Sequence, residues 1–215
     1  MTTVDFYFDP SCPWCWVTSR WLIEVSGHRD MKITWKPFSL ALKNGELDGN
    51  DTTGHRDTHT IAHGVLRVIE AIVASEDIDR GQLYTEFGKS YFVDKKLDDD
   101  VFMAAVIERL GLDKEYLKAA KDPSYDAQLQ TFMNEAIDIV GNDVGVPLII
   151  FTNDDGEKQG YFGPVLQGLP DLEESLKLWD GLSALASSKH FFELKRGRTG
   201  GAQVASTTRV FPELN

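Results

Sequence analysis

Phe8-Asp9-Pro10-Ser11-Cys12-Pro13-Trp14-Cys15-Trp16 is the stretch whose reading decides the fold. Upstream of it, Val4 to Asp9 is a short apolar and aromatic run closed by Pro10, the pattern of a buried strand. Downstream, Trp16 to Val25 reads as a helix that stops near Gly27. Pro13 suits its entry, because a first-turn N–H has no helical partner to lose. A second strand runs from Met31 to Phe38, where Ile33 and Trp35 alternate with Lys32, Thr34 and Lys36. Strand, helix, strand is a βαβ unit, and the two cysteines sit at its first strand-to-helix junction.

The Cys-x-x-Cys spacing puts both sulfurs on one side of a first helical turn, close enough for a small disulfide ring. Unsatisfied N–H groups and the positive end of the helix dipole favour a thiolate at Cys12. Thiols in such settings titrate at roughly 3.5–7.5 instead of about 8.5. The thiolate is the attacking species in disulfide exchange, and Cys15, deeper in the helix, then resolves the mixed disulfide. Cys-x-x-Cys is also a zinc-ligand spacing. Zinc would need two more ligands from a chain with 2 cysteines in all, and His55, His59 and His63 at i, i+4, i+8 are the imidazoles on offer. A pair opening a helix inside a βαβ unit favours redox chemistry. The histidine row lies mostly opposite the Ile61, Val65 and Ile72 stripe, so it reads as a solvated helix face, the alternative being a face turned to a cleft.

Beyond the second strand, a polar, Gly-containing stretch from Lys43 to Gly54 breaks the pattern, and residues 55–140 are helical in period throughout. Three faces stand out: Ile61, Val65, Val68, Ile69 and Ile72; Phe102, Val106 and Leu110, ended at Gly111; and Leu129, Phe132, Ala136, Ile137 and Val140, ended at Gly141. Strand character returns at Leu148 to Thr152, then an Asp154-Asp155-Gly156 turn leads into Lys158 to Phe162 as a hairpin. Pro170 opens a last helix with Leu172, Leu176, Trp179 and Leu182 on one face. Strands at both ends of the chain must meet in one sheet, because none can bury its faces alone. The expected layout is an α/β domain over residues 1–40 and 145–188, a helical insertion over 41–144, and a tail over 189–215. In that tail Lys189, Lys195, Arg196 and Arg198 face one acid, Glu193, and read as partners for the acidic body or a grip for an anion. Gly200 to Asn215 is weakly patterned and reads as loosely ordered.

Composition narrows the partners. The chain has 215 residues, 22 Lys plus Arg against 34 Asp plus Glu, and a net charge of −12, which disfavours a nucleic-acid binder. Met1-Thr2-Thr3-Val4-Asp5 has neither a basic start nor an apolar stretch after it, so no signal peptide is expected. The most continuous apolar stretch, Val146 to Phe151, is far short of a membrane span. These readings point to the cytoplasm, where a close cysteine pair means redox chemistry or metal more often than a permanent bridge.

The segment Phe8 to Trp16 resembles the active-site segment of cytoplasmic DsbA-like thioredoxin-fold oxidoreductases, and more narrowly their mycothiol-dependent reductase and nitroreductase branch. Thr18-Ser19-Arg20-Trp21, Ser39-Leu40-Ala41 and Gly141 to Pro147 carry the likeness further, as do Phe162-Gly163-Pro164-Val165-Leu166, Lys177 to Asp180 and His190 to Arg196. The resemblance implies a thioredoxin-like fold with a large all-helical insertion. It also implies a cis-proline at Val146–Pro147 facing the cysteine pair, and a substrate pocket with Asn44 and His55 on its rim. Pro13 and Trp14, inside the motif, are expected to meet substrate, while Trp16 and Trp21 belong to the core. The family often carries a buried acid six residues before the first cysteine; here that residue is Phe6, and Asp5 and Asp9 nearby read either as substitutes for it or as polar residues at a strand's ends.

The function expected is thiol–disulfide exchange at Cys12 and Cys15, reducing small electrophiles or mixed disulfides. The dithiol is restored by a low-molecular-weight thiol, mycothiol being the one the resemblance implies, or by a protein reductase. No bound cofactor is expected, because no G-x-G-x-x-G or similar signature is present. No metal is assigned either. The rival is a non-catalytic redox sensor or zinc-binding protein using the same cysteines.

Overall fold

The computed structural model describes residues 1–50, 53–94, 99–153 and 155–210, apart from the side chains of 99 and 100. Its contacts divide it into two compact units, the first holding residues 1–7, 13–35 and 135–213, the second 8–12 and 36–134.

The first unit is built on a four-stranded sheet of order β2-β1-β3-β4, with β1 at Thr2–Phe8, β2 at Met31–Pro37, β3 at Leu148–Thr152 and β4 at Lys158–Phe162. Strands from both ends of the chain do meet in one sheet. β3 runs antiparallel to β1, with Thr3 opposite Thr152 and Tyr7 opposite Leu148, and antiparallel to β4 in a hairpin. Asp154, part of the expected turn, lies outside the described residues; next to it, Asn153 Oδ1 accepts from the amides of Asp155 and Glu157. Val4, Asp5, Phe6, Tyr7 and Phe8 are all buried, as an inner strand covered on both faces requires.

α1 (Pro13–Ser26) starts three residues earlier than its apolar pattern suggested, because Pro13 serves as its first residue. Trp16 and Trp21 are fully buried on it, as expected. Trp21 Nε1 donates to the Ser175 carbonyl at 3.1 Å, and its ring lies 6.0 Å from that of Trp179 on α7, the last α-helix (Leu172–Ala186). Asp171 caps α7 by accepting from the Glu174 amide. Gly160 of β4 is a required glycine: a Cβ there would collide with Val140 and Ile139 of the helix α6 (Asp126–Val140). The tail departs from its expected looseness, for a 3₁₀ turn at Val204–Thr207 brings buried Thr207 to accept from Trp16 Nε1 at 3.0 Å. Arg209 also pairs with Glu24. That tail has few apolar residues, so hydrogen bonds rather than an apolar stripe hold it, and periodicity does not register them. Residues 211–215 lie outside the described residues.

The second unit is helical. α2 (Leu40–Lys43) is capped by Ser39, and α3 (Arg56–Val73), α4 (Arg80–Gly88) and α5 (Asp99–Arg109) follow, before the start of α6. Asp79 and Gln82 form a capping box on α4. Residues 55–140 are not α-helical throughout. Lys89–Val93 is a π-helical turn, and Lys114–Lys121 and Pro123–Tyr125 are 3₁₀ segments. Pro123 explains the last break: it pushes Asp122 to φ −95, ψ 108 and has no N–H to continue a helix. The unit's core gathers Val65, Leu66, Ile69, Tyr84, Phe87, Phe102 and Val106.

Candidate active site

The residues before α1 form a tight turn. The Cys12 amide donates to the Asp9 carbonyl at 3.1 Å, which leaves Cys12 immediately ahead of the helix's first residue. Cys12 is 7% exposed, whereas Cys15, the third helical residue, is fully buried. This is the asymmetry wanted of an attacking and a resolving thiol. Asp9, expected to be a polar residue at a strand's end, is instead 0% exposed. Its Oδ1 accepts from the Ser11 amide at 2.8 Å and the Ser11 hydroxyl at 2.5 Å, and its Oδ2 from the Leu40 amide at 2.8 Å. Burial pushes its carboxyl above the ordinary value of 3.8, against the pull of Leu40, Ser11 and the charge of His59. Asp5 is buried as well and lies 3.4 Å from Lys158.

Trp14 is half-buried, with the Arg198 guanidinium 4.9 Å from its ring centroid. Arg198 therefore neither pairs simply with the acidic body nor stands alone; Lys189, by contrast, pairs with Glu157 at 2.9 Å. The Val146–Pro147 peptide is cis, as expected, and the Gly163–Pro164 peptide, which nothing in the sequence singled out, is cis too. The Pro147 carbonyl accepts from the Gly163 amide at 2.8 Å, and that of Pro164 from the Thr18 hydroxyl at 2.7 Å.

In the helical unit the histidine row is not a solvated face. Only His55 is exposed, at the N-terminal end of α3; His59 and His63 are buried, each against an acid. The apolar stripe misled because α3 is enclosed on more than one side: His59, Ala62, His63, Gly64, Val65 and Leu66 are buried in succession with it. His59 Nδ1 lies 2.6 Å from Glu46, itself 1% exposed. Glu46 also accepts from Thr53 at 2.7 Å and from Asn44 at 3.4 Å, and Thr53 Oγ1 accepts from the His55 amide at 3.1 Å. Asn44 thus reaches the buried carboxylate directly, and His55 is tied to it only by its backbone amide through Thr53.

Ser39, His63 and Asp126 form a second array. Ser39 Oγ accepts from the Leu42 amide and lies 2.9 Å from His63 Nδ1, to which it donates when Nε2 carries the ring's proton. His63 Nε2 then donates to Asp126 at 2.9 Å, and Arg67 grips Asp126 with two contacts of 2.6 Å. Burial and the Arg67 charge hold the His63 imidazole below its ordinary value, Asp126 pulling the other way. Burial alone would raise Asp126, but its bonds to Arg67 and His63 outweigh it and leave the carboxyl below the usual range. The residue types are those of a hydrolytic triad, yet a fully buried serine spent on a helix cap attacks nothing. The array is a strut. Beside it, a shallow, mostly apolar pocket is walled by Pro10 and Ser11 of the cysteine turn and by Ile61, Val65, Phe87 and Tyr91. Tyr91 lies in the π-helical turn, a form of backbone common at functional sites.

Among the described residues no three or more His, Cys, Asp or Glu converge as a metal site. No helix among them is long and apolar enough to cross a membrane. The sequence did not single out Glu46, and it offered Asp9 and Arg198 without the buried turn and the Trp14 contact that the structure gives them. Only Asp9 carries a local signal, an Asx-type turn of Asp, Pro and Ser leading into the helix.

Solved structures share this architecture. The cytosolic disulfide reductase DsbM from Pseudomonas aeruginosa superposes with a TM-score of 0.55 at 14% identity, over 85% of this chain and 99% of that one. A probable DsbA oxidoreductase, SCO1869 from Streptomyces coelicolor, gives 0.51 at 16% identity, over 93% and 95%. The fold is therefore the DsbA-like thioredoxin fold with a helical insertion, and the chain is an enzyme of the thiol–disulfide oxidoreductase class. Within that class it belongs to the Rv2466c-like family, described as mycothiol-dependent nitroreductase Rv2466c, whose family model matches residues 11–196. It is also 28% identical over 201 residues, 93% of this chain and 84% of the relative, to the uncharacterized protein Rv2286c of Mycobacterium tuberculosis.

Proposed function

We propose that the chain reduces small electrophiles or mixed disulfides through Cys12 and Cys15, with mycothiol or a thiol like it as electron donor. The Cys12 thiolate attacks one sulfur of an incoming disulfide and expels the other as a thiolate. Cys15 then attacks the Cys12 sulfur, releasing the second thiolate and closing the Cys12–Cys15 bond, so two electrons pass to the acceptor. Two donor thiols restore the dithiol in succession and leave as their own disulfide. A protein reductase is the other donor to test, and the cytoplasm is the compartment in which the cycle would run.

The observation that carries this reading is family membership, with Cys12 placed ahead of the first residue of α1 and Cys15 buried behind it. Trp14 and Pro13, the Val146 backbone beside Pro147, and the Asn44 and His55 rim are assigned to substrate binding. The insertion over 41–144 supplies that rim. Zinc is disfavoured because both ring nitrogens of His63 are engaged and His59 is committed to Glu46.

The test is steady-state turnover with mycothiol, glutathione or a thioredoxin-type reductase as donor and a model disulfide or nitroaromatic as acceptor. Mycothiol should give the highest kcat/KM, and His55→Ala should raise the KM for it. Cys12→Ser should abolish turnover, and Cys15→Ser should trap a mixed disulfide visible by mass. Stoichiometric zinc in the purified chain with no turnover from any donor would overturn the reading in favour of a sensor or metal protein.

A further inference from the structure

Thiol exchange as written above gives no part to Asp9, a fully buried carboxyl three residues before Cys12. Both of its oxygens are occupied: Oδ1 by the amide and hydroxyl of Ser11, Oδ2 by the amide of Leu40 at the start of α2. Closing the turn alone does not require a charge. An asparagine or serine at the first position of such a turn also accepts from the amide two residues on, without burying an ionisable group. Here three donors converge from two segments, and only a carboxylate accepts on both oxygens. An asparagine would turn its NH₂ toward one of those donors. Charge-assisted bonds of this kind are about twice as strong as neutral ones, so the turn carrying Cys12 is held tightly. The same side chain holds Ser11, which with Pro10 walls the apolar pocket.

The charge also has a reach. The Cys12 amide bonds back to the Asp9 carbonyl, and the ends of such a turn lie within about 7 Å of one another. With their Cα atoms this close, a negative charge on Asp9 opposes one forming on Cys12. The titratable group facing Asp9 from α3 is His59, whose Nδ1 lies 2.6 Å from Glu46. A helix N-terminus alone would stabilise the Cys12 thiolate and make the disulfide a strong oxidant, since stabilising the reduced form is what drives oxidation of others. A carboxylate in the same turn works against that.

We propose that Asp9 is the positioning residue of Cys12, fixing the Asp9–Cys12 turn through both carboxylate oxygens and opposing the helix dipole with its charge, which biases the cysteine pair toward acting as a reductant. The inference rests on Cys12 as the attacking thiol.

The experiment compares the wild-type full chain with Asp9→Asn and Ser11→Ala. It reads the pH profile of Cys12 alkylation, the dithiol/disulfide equilibrium in a glutathione buffer, and thermal unfolding. Asp9→Asn should lower the alkylation midpoint by about one unit and shift the equilibrium toward the dithiol roughly tenfold. Ser11→Ala, which loosens the turn but keeps the charge, should lower turnover with the equilibrium moved less than about twofold. An Asp9→Asn protein whose Tm falls while midpoint and equilibrium stay put overturns the proposal and leaves Asp9 a scaffold residue. If Asp9→Asn does not fold, the wild type decides. Its Asp9 carboxyl carbon, followed by NMR, should show an inflection at the Cys12 midpoint that Cys12→Ser removes, and no such inflection overturns the proposal. A wild type with neither an acidic thiol nor turnover would instead refute the attacking-thiol reading.

Discussion

Replacing Asp126 by alanine tests whether the Ser39–His63–Asp126–Arg67 array carries real stability. The Arg67 side chain is 13% exposed and that of Asp126 26%, so the pair is neither dry nor open to solvent. Removing one partner of a fully buried pair costs about 3–5 kcal/mol, and the partial exposure of Asp126 discounts that to about 2. The His63 N–H left without its acceptor adds about 1 kcal/mol, for a sum of about 3 kcal/mol. In a chain of this size each kcal/mol moves Tm by about 2–4 °C, so Asp126→Ala should melt about 6–12 °C below wild type. Circular dichroism during heating, with urea titration at pH 7.5, reads the loss. The double variant Arg67→Met, Asp126→Leu removes both charges and should recover more than half of it, because the stranded guanidinium is the main cost. A loss under about 1 kcal/mol for Asp126→Ala, with no recovery in the double variant, would refute the strut.

The array also sets a pH dependence. His63 is held below its ordinary value of 6.5, so its contribution is complete above that value and drains away as the unfolded chain takes up a proton below it. Asp126, lowered by Arg67 and His63, stabilises above its unfolded value and loses that as pH falls through its folded one, so urea midpoints should drop from about pH 6.5 downward and fall further in the carboxylate range. His63→Gln should flatten the first part of that decline. At the motif, Arg198→Ala frees the Trp14 face and should alter Trp14 emission; a stack worth about 0.5–1 kcal/mol predicts a two- to fivefold change in the KM for an aromatic acceptor, against none if Arg198 is bystander charge.

What was legible in the chain is what local chemistry writes into it. The strand before Pro10, the helix after Pro13 and the hairpin at Leu148 to Phe162 each announce themselves through period and punctuation, and the cysteine pair sits at the junction of that strand and that helix. The placement of Cys12 ahead of the helix and Cys15 within it follows from three residues of spacing. What was not legible depends on neighbours distant in sequence. The histidines of α3 read as surface because periodicity reports one helix's preferences, not how many partners surround it. Glu46 sits in a polar, Gly-containing stretch that looks like a solvated loop. It is buried because His59, Thr53 and Asn44 converge on it.

The same distinction explains where the chemistry of this chain is controlled. The thiols are specified locally, by a helix start with Cys-Pro-Trp-Cys. Which way electrons run depends on how far the thiolate is favoured, and Asp9, proposed to oppose it, is local to the motif but held in part from another segment. The Leu40 amide that anchors Asp9 comes from the entry to the helical insertion, next to Ser39, whose hydroxyl is committed to His63 and through it to Asp126 and Arg67. A continuous run of hydrogen-bonded residues thus joins the cysteine turn to the middle of the helical unit. The insertion's Leu40 amide is bonded to Asp9 in the turn that precedes Cys12, so on the proposal made above a change in that contact should show in the reactivity of Cys12.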